Sequence, residues 1–212
     1  HYALDGLFKN LSDLKTEDEA KQLLNARFTS AMNGSKEAFT KEGLERRLFY
    51  GNEILDNYYE KYNTTWENEG EIRTELYLKN CEIDGVPIRG QIDKVSIKDG
   101  VAHVVDFKTG QYKYGVKKVK PPIVLEDNED EKNFEKRHGG DYWRQVLFYK
   151  ALIESDKSQN LKVISGEIDF IEPDNKEHKK IKIMVNEDDY SFVRKQITNT
   201  FQKIQNLEFD NG

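Results

Sequence analysis

The chain has one cysteine, Cys81, among its 212 residues. A single cysteine cannot form an internal disulfide, and it cannot supply the thiolates of a cysteine-ligated zinc site or of an iron–sulfur cluster. We therefore expect no iron–sulfur cluster. Because disulfides are typical of oxidising compartments, this composition also favours a reducing, cytoplasmic setting.

Long hydrophobic runs are also missing. No apolar stretch approaches the ~18 residues that a membrane-spanning helix requires, so we expect no membrane partner. The chain opens with HYALDGLF, which lacks the basic and apolar stretches of a signal peptide. It also lacks an initial Met and a glycine-rich nucleotide-binding loop. These features favour a domain excised from a larger protein.

Aromatic and charged residues, by contrast, are plentiful. Eleven Phe, eleven Tyr and two Trp argue for a packed core, although 34% of the residues are charged. The length suits one domain over residues 1–212. The net charge of −6 argues by itself against nucleic acid, but the charge is unevenly distributed. Residues 113–120 are rich in lysine and residues 126–131 are acidic, which indicates either a solvated, mobile loop or a functional segment.

Hydrophobic periodicity divides the chain into a helical first part, residues 1–65, and a core that contains the strands, residues 70–212. In the first part, apolar residues recur at helical spacing, and a long helix is predicted over Ser35 to Tyr62. From Ile72 the period changes to two, which predicts three successive strands.

The rest of the chain continues this alternation of elements. The pattern predicts irregular structure over 110–140, a helix over 141–155, a pair of strands, and a closing helix that starts at Asn186 or Glu187. The order is helices, β-meander, helix, β-hairpin, helix. It predicts an α/β fold in which a central mixed sheet is flanked by helices.

One predicted hairpin brings two carboxylates together. Asp99-Gly100 is a strong signal for a two-residue turn, because both turn positions need a positive φ. Counting back from this turn, Asp93 lies opposite Asp106, with Lys108 two residues further on. Directly opposed residues share one face of a sheet, with Cβ atoms about 4.5–5.5 Å apart.

Two neighbouring carboxylates repel each other, so this hairpin needs a compensating positive charge. Lys108 would provide it as a structural salt bridge. A divalent cation bound by Asp93 and Asp106 would also provide it. The residues by themselves leave both interpretations open.

The stretches GQID (90–93), VVDFKTG (104–110) and QVLFY (145–149) follow one another in the chain. Together they resemble the RecB-type branch of the PD-(D/E)xK nuclease superfamily, whose pattern is G-x-x-D, then D-[YF]-K-T-G, then Q-x-x-x-Y. Glu75 in RTELYL matches the family's glutamate on the preceding strand, and His1 resembles its early histidine. The resemblance implies a restriction-endonuclease-like core and metal-dependent cleavage of DNA.

The resemblance also implies Mg²⁺ or Mn²⁺ as the cofactor. It assigns the metal ligands to an imidazole, three carboxylates and one backbone carbonyl, those of His1, Glu75, Asp93, Asp106 and Phe107. Phosphodiester hydrolysis needs an activated water and stabilisation of charge on the phosphoryl oxygens, and a divalent metal supplies both. His1 has a second interpretation, as a residue left from a purification tag.

The same resemblance implies catalytic roles for Asp93, Asp106, Lys108, Gln145 and Tyr149. Lys108 would orient or deprotonate the attacking water and hold the phosphate, which arginine would do poorly because it does not readily lose a proton. Gln145 and Tyr149 share a helix face, since they are four residues apart, and would hold the active site and the DNA backbone. Tyr149 has an alternative interpretation as a core residue.

Taken as a whole, the resemblance implies the exonuclease domain of a helicase–nuclease in DNA repair or recombination. Its partners would be DNA and the helicase part of the same chain or complex. One alternative is a nuclease fold that has lost cleavage and only guides a strand. Another is an α/β domain in which the DFKTG segment forms a salt bridge and nothing more. We also expect the lysines of 110–140 to close over the nucleic acid.

Overall fold

The structure of the protein, a computed structural model, describes residues 1–123 and 134–208. The α-helices of this part of the chain are α1 (Tyr2–Lys9), α2 (Glu17–Gly34), α3 (Lys41–Trp66), α4 (Tyr112–Gly115), α5 (Phe134–His138), α6 (Asp141–Ser155) and α7 (Glu187–Gln205). The strands are β1 (Glu71–Ile83), β2 (Val86–Lys98), β3 (Val101–Lys108), β4 (Lys162–Asp174) and β5 (Glu177–Met184). None of these helices has the length and apolarity that crossing a bilayer requires.

A single five-stranded sheet has the spatial order β1-β2-β3-β4-β5. Its strands are antiparallel except for β3 and β4, which run parallel. A parallel pair needs a crossover connection, and here the crossover contains α6. The prediction of a mixed sheet flanked by helices is confirmed.

Helices bury both faces of this sheet. The face that carries Val104 packs against α6 and α7, with Val146 in the shared core, and is called the α6 face below. The opposite face packs against α1, α2 and α3, with Leu7 in its core, and is called the α3 face. Alternation along β3 directs Val104 to the α6 face and both Val105 and Phe107 to the α3 face.

Side-chain caps set the start of the long helices. Thr40 caps α3 and Asn186 caps α7, each accepting a hydrogen bond from the amide three residues on. The predicted start of the last helix is thereby confirmed. The helix predicted over Ser35 to Tyr62 instead runs to Trp66 and begins only after Thr40, because a 3₁₀ turn occupies Lys36–Ala38.

The predicted hairpin register is confirmed over five pairs, up to Lys94 with Val105. The ladder ends there, so Asp93 and Asp106 are not one of its pairs, contrary to the prediction. The physical reason is visible one residue on. The Phe107 amide donates to Asp93 Oδ2 at 2.8 Å, so a side-chain oxygen takes the place of a main-chain acceptor.

The lysine-rich segment is folded onto the sheet rather than fully solvated. It contains α4 and a 3₁₀ helix over Val116–Val119, where irregular structure was predicted. Tyr112 and Val119 pack against the core of the α6 face. The ring centroids of Tyr112 and Phe170 are 5.5 Å apart, in an edge-to-face arrangement. The acidic run 126–131 lies outside the described residues.

Candidate active site

The ladder of paired residues between strands β1 and β2 is interrupted at Glu75 and Asp93. Glu75 and Asp93 form no ladder pair, although the residues on either side of them do. Thr74 donates to Asp5 of α1 at 2.6 Å, whereas Leu76 packs against the core of the α6 face. The side chains of β1 therefore change from the α3 face to the α6 face at Glu75, whose φ is +48°. A left-handed backbone costs a non-glycine residue about 1–3 kcal/mol, and such strain is concentrated at functional sites.

The interruption brings three potential metal ligands together. His1, Glu75 and Asp93 each offer one side-chain atom, and these atoms lie within 4.8 Å of one another. His1 Nδ1 is 3.4 Å from Asp93 Oδ1, and His1 Nε2 is 3.2 Å from the carbonyl oxygen of Phe107. One imidazole with carboxylate and carbonyl oxygens suits Mg²⁺ or Mn²⁺. We call His1, Glu75, Asp93 and the Phe107 carbonyl the ligand group.

Negative charge dominates the ligand group. The hydrogen bond to Asp93 raises the pKa of His1 above its ordinary value of 6.5, although partial burial opposes this. Burial raises the pKa of Glu75, and repulsion by Asp93 adds to the effect. Gln91 donates a hydrogen bond to the Glu75 carboxylate. A cation placed among these groups would favour their ionised forms.

Asp106 belongs to a second set of contacts, on the α6 face. Its Oδ2 is 2.6 Å from Lys108 Nζ. Its Oδ1 accepts hydrogen bonds from Gln145 Nε2 at 2.6 Å and from the Tyr149 hydroxyl at 2.9 Å. Gln145 also accepts from Lys108 Nζ at 3.2 Å and donates to the Tyr149 hydroxyl at 2.8 Å. We call these four residues the Asp106 group.

The protonation of the Asp106 group follows from its burial. Asp106 is only 2% exposed, and burial raises its pKa against the opposing effect of Lys108. Burial also raises the pKa of Tyr149, and the neighbouring Asp106 charge adds to it. Tyr149 is therefore a hydrogen-bond donor and not a base. It is buried, as the core interpretation held, but its hydroxyl contacts Asp106.

The predicted site is thus divided into two adjoining groups. Asp106 is not a member of the three-residue cluster around His1, but the charge of Asp93 still contributes to the raised pKa of Asp106. That the two carboxylates lie side by side stays a prediction. The structure contains the Asp106–Lys108 ion pair that the sequence left open as one of two interpretations. The Phe107 amide connects the groups, because it follows Asp106 and donates to Asp93. Whether Asp106 binds metal stays a prediction.

Two contacts of the Tyr142 ring, beside the Asp106 group, were not predicted from the sequence. Lys108 Nζ lies 4.9 Å from the centroid of the Tyr142 ring, and Lys118 Nζ lies 5.3 Å from the same centroid. One signal was available, since Tyr142 precedes Gln145 by three residues and therefore shares its helix face. No pattern in the sequence distinguishes Lys118 from the lysines around it.

Comparisons with known proteins identify the family. A family model described as the PD-(D/E)XK nuclease superfamily matches residues 1–211. Among curated proteins, none matches the chain. A matching crystal structure is that of a candidate exonuclease from Eubacterium rectale, with 15% identity and a TM-score of 0.48, covering 96% of this chain and 81% of that one. Another is that of SSO0001, with 15% identity and a TM-score of 0.35, covering 95% of this chain and 85% of that one.

These structural likenesses are too distant to carry a functional argument. The family model has a different weight, because its match extends over nearly the whole chain. It includes every residue of the ligand group and of the Asp106 group. The chain therefore belongs to the PD-(D/E)XK nuclease superfamily.

Proposed function

We propose that the chain is a Mg²⁺- or Mn²⁺-dependent deoxyribonuclease that hydrolyses phosphodiester bonds, as an exonuclease rather than an endonuclease. One observation carries the proposal. A cluster of His1, Glu75 and Asp93 within 4.8 Å adjoins the Asp106–Lys108 ion pair, in a member of a nuclease superfamily. Oxygen ligands beside a lysine are the groups that metal-assisted phosphodiester hydrolysis requires.

The ligand group would hold the cation. Its donor atoms are those of His1, Glu75, Asp93 and the Phe107 carbonyl, and Asp106 would join them if its carboxylate exchanged Lys108 for the cation. When bound, the cation supplies Lewis-acid stabilisation of the phosphoryl oxygens and a more acidic water. The strained backbone of Glu75 is consistent with this role, because it directs that carboxylate towards His1 and Asp93.

Lys108 would act on the phosphodiester and the attacking water. Its side chain is 24% exposed, so the ammonium can reach a substrate while it contacts Asp106. From this position, Lys108 would bind the phosphate by charge and orient or deprotonate the water. Charge-assisted hydrogen bonds of this kind are about twice as strong as neutral ones.

Gln145 and Tyr149 would be positioning residues. Gln145 bonds both members of the ion pair, with its Nε2 on Asp106 and its Oε1 on Lys108. The Tyr149 hydroxyl donates to the same Asp106 oxygen. These bonds fix the carboxylate while Lys108 changes partner. Contacts of Gln145 with the DNA backbone are part of the proposal.

The wider setting is proposed on the same resemblance. We propose a RecB-type domain that acts in DNA repair or recombination, with a helicase part of the same chain or complex as its partner, in the cytoplasm. Residues 1–212 would be one nuclease domain, with residues 1–65 as its helical part and residues 70–212 as its core. The preference for strand ends is tested by comparing linear with covalently closed circular DNA.

The test is a cleavage assay on single- and double-stranded DNA, with Mg²⁺, with Mn²⁺ and with a chelator. The variants are Lys108→Ala and, as a matched control, Lys98→Ala, an exposed lysine at the hairpin turn. We expect metal-dependent cleavage that Lys108→Ala reduces strongly and Lys98→Ala retains. Binding without cleavage under all conditions would instead identify a module that only guides a strand. If the chain neither binds nor cuts DNA, both functions are rejected.

A further inference from the structure

We infer that Lys118 and Lys108 form a phosphate-binding site on the ring of Tyr142, which holds the DNA backbone beside the bond that is cut. The inference rests on the proposed function, since it assigns part of the substrate contact of that site. Tyr142 is a positioning residue in it, because both ammonium groups lie over its ring.

Both ammonium groups lie on the same aromatic ring. Lys108 Nζ is 4.9 Å and Lys118 Nζ is 5.3 Å from the Tyr142 ring centroid, within the ~6 Å range of a cation–π contact. The ring attracts each ammonium, but the two positive charges repel each other. An anion that contacts both removes this repulsion. A phosphodiester has a negative charge and unesterified oxygens that accept charge-assisted hydrogen bonds.

The backbone on both sides of Lys118 is fixed by two glycines. A Cβ on Gly115 would lie 2.2 Å from Phe170 Cζ and 3.3 Å from Tyr142 Cε2. A Cβ on Gly140 would lie 2.2 Å from the carbonyl oxygen of Lys118. Such contacts exclude larger residues at both glycines. The segment from Gly115 to Lys118 therefore packs closely onto β4 and onto the start of α6. Close packing therefore constrains the backbone of Lys118.

Within the described part of the chain, the charge of Lys118 is not paired with a carboxylate. Over residues 1–123 and 134–208, no carboxylate oxygen lies within ion-pair distance of Lys118, whereas Lys108 is paired with Asp106. The chain carries a net charge of −6, so an ammonium beside the active site that has no carboxylate partner among the described residues contrasts with the overall balance. Charge complementarity therefore favours a phosphate of the substrate as its partner.

The neighbouring lysines differ from Lys118 in their surroundings. Lys117 is exposed to solvent. Lys113 lies over the ring of Tyr114, 4.9 Å from its centroid, and that tyrosine is itself 65% exposed. Lys117 is thus a matched control for Lys118, since its removal changes the net charge equally at an adjacent position.

The first experiment measures binding of a single-stranded oligonucleotide by fluorescence anisotropy at several salt concentrations, in a chelator so that nothing is cut. We expect Lys118→Ala to weaken binding and to reduce the slope of log K against log salt by about 0.7, the loss of one phosphate contact. Lys117→Ala should leave the slope unchanged. Equal slopes for the two variants would overturn the inference.

The second experiment tests the ring, with cleavage kinetics in Mg²⁺ or Mn²⁺. Lys118→Ala should raise KM while kcat changes little, because it removes a contact shared by the bound substrate and the transition state. Tyr142→Leu should show at least the binding defect of Lys118→Ala, and adding Lys118→Ala to it should cause no further loss. Tyr142→Phe keeps the ring and should restore wild-type binding. Loss in the Phe variant, or additive losses, would exclude the proposed positioning role.

The two proposals fail in different ways. A wild-type chain that cuts no DNA with either metal contradicts the proposed function, but the binding comparison of Lys118→Ala with Lys117→Ala still tests the phosphate site. A chain that cuts DNA normally while both lysine variants bind alike contradicts only the phosphate site.

Discussion

Asp106 and Asp169 are buried carboxylates on the neighbouring strands β3 and β4, and the same residue types surround them. They are 2% and 1% exposed, respectively. Asp106 accepts a hydrogen bond from Tyr149 at 2.9 Å, and Asp169 accepts one from Tyr58 at 2.5 Å. Each also pairs with a lysine, at 2.6 Å for Asp106 and 2.9 Å for Asp169. Only Asp106 adjoins the ligand group.

The two carboxylates differ in the surroundings of their lysine partners. Lys180, the partner of Asp169, is also 3.1 Å from Glu167 and lies 4.1 Å from the centroid of the Tyr62 ring. Its single charge is thus shared by two carboxylates on the α3 face. Lys108 has one carboxylate partner, and Tyr142 connects it to a second ammonium.

Burial and ion pairing alone therefore do not identify an active site. Burial raises the pKa of both Asp106 and Asp169, and a lysine opposes the shift in each. What distinguishes Asp106 is the presence of further metal-ligating and cationic groups beside it. Variants that change one lysine, tyrosine or carboxylate at a time separate the contribution of each group to cleavage from its contribution to stability.

The largest effect is expected from Lys108→Ala on cleavage. Loss of an amine that acts on the water and the phosphate should reduce the rate by about 10²–10⁴-fold. Lys180→Ala should change the rate of the folded enzyme by far less, since Lys180 lies with Asp169 on the other face of the sheet. Initial rates at saturating metal measure both effects. Equal losses in the two variants would contradict the assignment of Lys108, and not Lys180, to the active site.

Lys180→Ala should have the larger effect on stability. It leaves Asp169 and Glu167 without their shared cation, and removal of one partner from a buried ion pair costs about 3–5 kcal/mol. Lys108→Ala should cost less, because Asp106 keeps its bonds from Gln145 and Tyr149. Urea unfolding of both variants tests this order, and the reverse order would contradict it.

Tyr58→Phe should destabilise the fold by about 1.5–3 kcal/mol, the worth of a hydrogen bond to a charged group. Asp169 then keeps only its contact with Lys180. Tyr149→Phe should cost less stability, since Gln145 still donates to the same Asp106 oxygen, but it should slow cleavage. Thermal unfolding and cleavage rates are measured together, and a cleavage defect in the Tyr58 variant alone would argue against these assignments.

Glu75→Gln should weaken binding of Mn²⁺ about tenfold, or ~1.4 kcal/mol, because the ligand group loses one negative charge. Calorimetric titration with Mn²⁺ measures the affinity. Glu82→Gln provides the matched control, since Glu82 is an exposed glutamate on the same strand. Asp169→Asn should also bind Mn²⁺ normally. Unchanged affinity in the Glu75 variant would remove this residue from the ligand group.

The smallest effect concerns His103, on the α3 face, which contacts the Ser165 hydroxyl at 2.8 Å. Burial lowers the pKa of His103 below its ordinary value of 6.5. The unfolded chain then binds more protons than the folded one below about pH 6.5, so this residue makes stability fall as the pH falls. His103→Gln should flatten the decline in urea midpoint below pH 6.5. An unchanged pH profile would contradict the assignment.

Much of the fold could be predicted because its determinants are local. The change of hydrophobic period at Ile72 marks the passage from helices to strands, and the turn at Asp99-Gly100 sets the register of the central hairpin. The ladder pair predicted between Asp93 and Asp106 is absent for a physical reason. A register assigns Cα partners only. The Phe107 amide donates to the Asp93 carboxylate and not to a main-chain carbonyl, so the ladder ends one pair before Asp93 and Asp106.

The pattern of residue types along the chain determined the order of the elements and the mixed sheet, because helix and strand periods and turn chemistry act between near neighbours. The proposed site residues came from the resemblance to a family. Only the tertiary structure decided which of these groups meet. His1 reaches Phe107 across 106 positions, and Lys118 reaches Lys108 through a ring on another helix. Such contacts depend on how helices pack onto the two faces of the sheet, and side-chain spacing along the chain carries no record of that packing.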